Sequence, residues 1–120
     1  MLRDALLLLE DIVESCARIL RYTEGKTFEQ FRSNDETFDA VCRNLELIGE
    51  AAKHVPETVR LRHPQVDSRR IAGLRDVLAH GYFALEPEML WSVVRKNVPE
   101  IASRLPAIIA MEKAHSDRSP

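Results

Sequence analysis

Met1-Leu2-Arg3-Asp4-Ala5-Leu6-Leu7-Leu8-Leu9-Glu10-Asp11-Ile12-Val13-Glu14-Ser15-Cys16-Ala17-Arg18-Ile19-Leu20-Arg21-Tyr22 opens the chain, and its spacing decides the fold. Leu2, Leu6, Leu9, Val13, Cys16 and Leu20 step by four and three, the period of an apolar helical seam. Ala5, Leu8, Ile12 and Ile19 widen that seam into a broad stripe. The stretch therefore predicts a helix over residues 2–22 that is buried on two sides, within a bundle and against a further chain. Asp4 and Glu10 interrupt the apolar run, which is too short and too charged for a membrane span and carries no signal-peptide cleavage site. A cytoplasmic location is expected.

Working outward, Gly25 closes this helix, and residues 26–32 read as a connector carrying Phe28 and Phe31. Ser33-Asn34-Asp35-Glu36 fits a capping box that starts a second helix. Phe38, Val41, Leu45, Ile48, Ala52 and Val55 then repeat by three and four. Gly49 inside that helix costs about 1 kcal/mol relative to alanine, so it marks either close helix–helix contact or room for a ligand. Pro56 ends the helix. Residues 57–62 form a short helical turn, residues 64–67 a loop, and a third helix capped by Asp67 or Ser68 runs to His80, where Gly81 is a natural stop. Pro87 suits a helix start. A long last helix reaches about Glu112, with Pro99 and Pro106 expected to kink or segment it. No alternating strand pattern or repeat occurs. The expected architecture is an all-α antiparallel bundle of four to five helices, one domain over residues 1–113, with a frayed polar tail over 114–120.

The chain has 120 residues, 45% of them hydrophobic and 30% charged, enough for one domain with its own core. Its net charge of −2 excludes wholesale attraction to nucleic acid, so any RNA contact must come from a local patch. Cys16 and Cys42 lie in apolar helical patterns without zinc spacing, and read as buried reduced thiols. His54 and His63 have no carboxylate or thiol at metal-ligand spacing. There is no phosphate-cradling glycine loop, nucleophile elbow or paired-carboxylate motif. No metal or cofactor is expected.

The chemistry gathers in Arg75-Asp76-Val77-Leu78-Ala79-His80-Gly81-Tyr82. Arg60, Arg62, Arg69, Arg70 and Arg75 surround His63 and this stretch. They form either a phosphate-contacting surface or a solvated face with salt bridges. The ordinary histidine pKa lies near neutrality, so His80 suits a general acid–base role, although a histidine at a helix end can equally be structural. Read singly, Tyr82 is a packed aromatic and Arg75 an ion-pair partner. On a helix, residues five apart point about 140° away from each other. Arg75 and His80 meet only if the helix ends between them or if a second copy of the chain faces the first.

Arg75, four residues, His80, one residue and Tyr82 together resemble the R-x4-H-x-Y signature of HEPN-domain proteins. More narrowly, the chain looks like the HepT toxins encoded beside a minimal nucleotidyltransferase antitoxin. Residues 40–52 are similar to that family's second-helix signature. Residues 71–76, 80–83 and 90–91 are similar to its later part, so the resemblance spans nearly the whole sequence. It implies a HEPN-like helical dimer with a metal-independent endoribonuclease site at the cleft between protomers, in a type VII-like toxin–antitoxin system. It further implies that His80 shuttles the proton of an attacking RNA 2′-hydroxyl while Arg75 stabilises charge on the phosphate. Asp76 stands where the family often has asparagine. As an acceptor-only side chain it either weakens phosphate affinity or holds Arg75 or His80 in place. Tyr82 is the implied site of AMPylation by the nucleotidyltransferase. Arg69, Arg70 and Arg43 are candidate RNA contacts. The competing expectation is a non-catalytic helical module that serves as partner or substrate of a nucleotidyltransferase.

Overall fold

The structure, a computed structural model, describes residues 2–64 and 86–118. The described chain is all helical, without a strand. Helix α1 spans Leu2–Thr23, α2 Phe28–Ser33, α3 Asp35–Lys53, α4 Glu57–Arg62 and α5 Pro87–Ser92. A π-helical segment, Val93–Asn97, leads into α6, Val98–Arg118.

The broad stripe of α1 is covered from two sides within the chain itself, where the helix packs on both α3 and α6. Ala5, Leu9, Ile12, Cys16 and Ile19 are buried there with Val41, Leu45 and Ile48 of α3 and Leu105 and Ile108 of α6. α1 and α6 run antiparallel: Glu10 Oε1 meets Lys113 Nζ at 3.6 Å, whereas Leu20 and Arg21 face Val94 and Pro99. Gly25, at φ 69°, makes the turn out of α1 in the left-handed region that glycine tolerates.

Two local expectations are corrected. Residues 26–32 are not a plain connector. Thr27 caps α2 through a full capping box, its hydroxyl accepting from Gln30 N–H at 3.2 Å while Gln30 Oε1 accepts from Thr27 N–H at 2.9 Å. Phe31 of this helix is fully buried and packs on Phe38 and Trp91, with ring centroids 5.3 and 5.1 Å away, so α2 staples α3 to α5. The cap of α3 is Asn34 rather than Ser33. Asn34 Oδ1 accepts from Thr37 N–H at 3.0 Å, whereas the Ser33 hydroxyl donates back to the Glu29 carbonyl at 2.7 Å.

α4 occupies residues 57–62 as expected, and Pro87 stands at the start of α5. Pro99 does segment the last helix. Its ring would collide with the carbonyl four residues back and it has no N–H to offer. The turn before it widens, and Val98 N–H bonds to the Val93 carbonyl in a five-residue π step. α6 then continues through Pro106 as far as Arg118, past the point where the sequence predicts a frayed tail. Cys16 and Cys42 are free and buried, and burial pushes both thiols up to about 12. Among the described residues no helix is long and apolar enough to cross a membrane.

Candidate functional site

The stretch that carries the sequence motif, with Arg75, Asp76, His80 and Tyr82, lies outside the described residues, as do Arg69 and Arg70. What the structure describes is the scaffold on either side of it: the exposed flank of α3, the end of α4 and the last turns of α6.

On α3, Arg43 is exposed and only loosely paired, its Nη1 3.9 Å from Glu46 Oε2. It is therefore sterically available for an anion. Gly49 is buried. One turn on, His54 Nε2 lies 3.1 Å from Glu50 Oε1. Asn44 is buried among apolar neighbours; its amide donates to the Ala40 carbonyl at 2.9 Å while its Oδ1 has no hydrogen-bond partner.

At the end of α4 the basic cluster read from the sequence divides. Arg62 and His63 turn inward onto Glu112 of α6 and do not belong to a free cationic face. Arg62 Nε and Nη2 donate to the two Glu112 oxygens at 3.0 and 2.6 Å, the bidentate fork that guanidinium geometry favours. His63 Nε2 lies 2.8 Å from Glu112 Oε2. Glu112 is 1% exposed, and its carboxylate is compensated from both sides. The hydrogen bonds from Arg62, helped by His63 and opposed by burial, hold the carboxyl down at about 2. Arg60, by contrast, keeps a buried Nε without a partner. The sequence carried a signal for Glu112 that periodicity alone passes over: a carboxylate stands where Leu105 and Ile108 place the next core position. A charge at such a position needs a buried counter-charge.

This triad fixes the chain at residue 63, just before the segment with Arg69, Arg70 and Arg75, and ties it to the last helix. The ribonuclease HepT-like family model matches residues 12–108, a span that includes Arg75, His80 and Tyr82. The chain belongs to the HepT-like ribonuclease family. It is 38% identical over 96 residues to a protein of Thermococcus cleftensis named as a probable ribonuclease HepT, covering 80% of this chain and 87% of that relative. It is 35% identical over 105 residues to a candidate RNase of Caldanaerobacter subterraneus, covering 88% of this chain and 94% of the relative. A candidate RNase of Methanocaldococcus jannaschii is 38% identical over 107 residues, 89% of this chain and 88% of its own length. No solved structure matches this HepT-like chain.

Proposed function

We propose that this HepT-like protein is a metal-independent endoribonuclease and the toxin of a toxin–antitoxin pair. The observation that carries the reading is the family match across residues 12–108, which encloses an intact Arg75, His80 and Tyr82. In this mechanism the RNA 2′-oxygen attacks the adjacent phosphorus, the bond to the 5′-oxygen breaks, and a 2′,3′-cyclic phosphate and a 5′-hydroxyl result. His80 moves the proton. Arg75 stabilises the charge that grows on the phosphoryl oxygens, for which a fork of donors is suited. Asp76 orients one of these two groups. The cleft forms between two copies of the chain, which resolves the angular separation of residues five apart.

Silencing follows from the same site. A nucleotidyltransferase partner directs the Tyr82 phenolic oxygen onto the α-phosphorus of ATP. The oxygen–phosphorus bond forms, pyrophosphate leaves and the phenolic proton is lost. An AMP group then places bulk and negative charge beside the phosphate-binding arginine.

Purified protein should cleave RNA in excess chelator, and His80→Ala should abolish cleavage with an unchanged melting temperature. Equal cleavage by the variant would overturn the role of His80. Absence of cleavage by the wild type, with AMP still added to Tyr82, would identify the chain as a partner module of the nucleotidyltransferase.

A further inference from the structure

Apart from Arg60, the arginines whose side chains are described differ in what they reach. Arg18, Arg32, Arg43, Arg62 and Arg104 each reach a carboxylate. Arg21 and Arg95 form no ion pair among the described residues. Instead the Arg21 guanidinium lies 5.5 Å from the centroid of Tyr22, and that of Arg95 5.1 Å from the centroid of Trp91. Both are exposed, and both line one open cavity of about 430 Å³ between the α1–α2 turn and the π segment.

Each feature of that cavity has a physical origin. The π step stands just before Pro99, and Arg95 is presented from that widened turn. Trp91 is itself held against Phe31 and Phe28, so the platform under Arg95 is anchored in the core. Gly25 forms part of the wall, and nothing lies within 4 Å of where its Cβ would stand, so the approach is open. The carbonyl end of α1 would ordinarily repel an anion. Here the Thr23 hydroxyl donates to the Ile19 carbonyl at 2.8 Å and Lys26 N–H to the Thr23 carbonyl at 3.1 Å, which offsets that field. Glu24 is the acidic residue of the lining, which leaves the two arginines in excess. Lys26 and Lys96 adjoin the wall in sequence and add positive charge.

We infer that this cavity is a phosphate-backbone subsite for single-stranded RNA, in which Arg21 and Arg95 hold a phosphodiester of the substrate away from the Arg75–His80 motif. The inference rests on the ribonuclease reading. Stacking on the rings restricts both guanidinium forks before the ligand arrives, so less side-chain entropy is lost on binding. On a protein of net charge −2, such a local patch is the contact that the composition demands.

The test uses a 2′-O-methyl oligoribonucleotide, which has no attacking hydroxyl and cannot be cleaved by the proposed route. Its binding to the full chain and to the Arg21→Ala/Arg95→Ala double variant is measured across a salt series, with melting curves as the control for folding. The subsite predicts at least about tenfold weaker binding by the variant, and a salt slope shallower by about 0.7, the change for one lost single-strand phosphate contact. With cleavable RNA, KM should rise while kcat is preserved. Arg21→Lys/Arg95→Lys should recover the salt slope but only part of the affinity. Unchanged affinity and slope in the alanine variant, with tight binding by the wild type, would overturn the subsite and leave the ribonuclease reading standing. Failure of the wild-type protein to bind the oligonucleotide would overturn both.

Discussion

Glu112 occupies a core position of α6 with an ionised carboxylate, and its stability contribution depends on two basic side chains from α4 and the residue after it. Removing the acid leaves buried His63 without its hydrogen-bond partner and Arg62 without its bidentate partner. Glu112→Ala should therefore cost about 3 kcal/mol, the lower end for breaking a buried pair, since Arg62 retains some access to water. The melting temperature should fall by roughly 10 °C for a domain of this size. The pH dependence has a definite sign. The carboxyl lies at about 2 in the folded protein against 4.5 as its ordinary value, so the unfolded chain takes up the proton first on acidification. The stabilisation is complete above pH 4.5 and is lost as the pH falls towards 2. Glu112→Gln should flatten that part of an acid-unfolding curve. The thiols behave oppositely. Cys16 and Cys42 stay protonated up to about 12, so their contribution is full below 9 and declines as the pH rises from there. Neither should react with a thiol reagent at neutral pH until the protein is unfolded, as a thiol count before and after denaturant will show. The buried cysteines were legible from helical spacing alone. The triad was not, because proximity of residues fifty apart leaves no trace in a local pattern.

At the scale of elements, the long helices were legible because their apolar repeats run for five or more turns and each has one buried face. Short elements depended on single hydrogen bonds. Ser33 and Asn34 both suit an N-cap, and the choice between them turns on which residue can leave the helix while its neighbour ends another. Asn34→Ala should cost about 1 kcal/mol and Ser33→Ala much less, in matched denaturant titrations. Thr27→Ala should likewise cost about 1 kcal/mol by uncapping α2. An equal loss at Ser33 would move the cap back to it. Proline positions announced a break near residue 99, yet a proline's sequence position does not say whether the chain kinks or widens. The surrounding packing of Val94 and Val98, both buried, selects the wider turn.

For the molecule as a whole, the all-α architecture followed from the absence of alternation and the width of the α1 stripe. The proposed cleft needs two copies of the chain. Sedimentation at micromolar concentration should give a species of twice 13.7 kDa. A monomer that still cleaves RNA would remove the two-fold cleft from the mechanism. Leu7 and Leu47, on α1 and α3, leave half and 38% of their surface in water, a larger apolar exposure than the rest of those helices shows. The reading of the motif rests only on its spacing and its likeness to a family, since three polar residues in one short stretch specify no geometry by periodicity.

The pairing of α1 with α6 also sets a schedule for synthesis. Part of the apolar stripe of α1 is covered by α6, a helix made well after it. Ile12, Cys16 and Ile19 can meet α3 early, but Leu105 and Ile108 arrive only once α6 has been made. Until then the nascent chain carries an unfinished core, and cooperative stability comes with the docking of α6. Any activity that depends on the closed bundle therefore begins only after α6 has closed over α1.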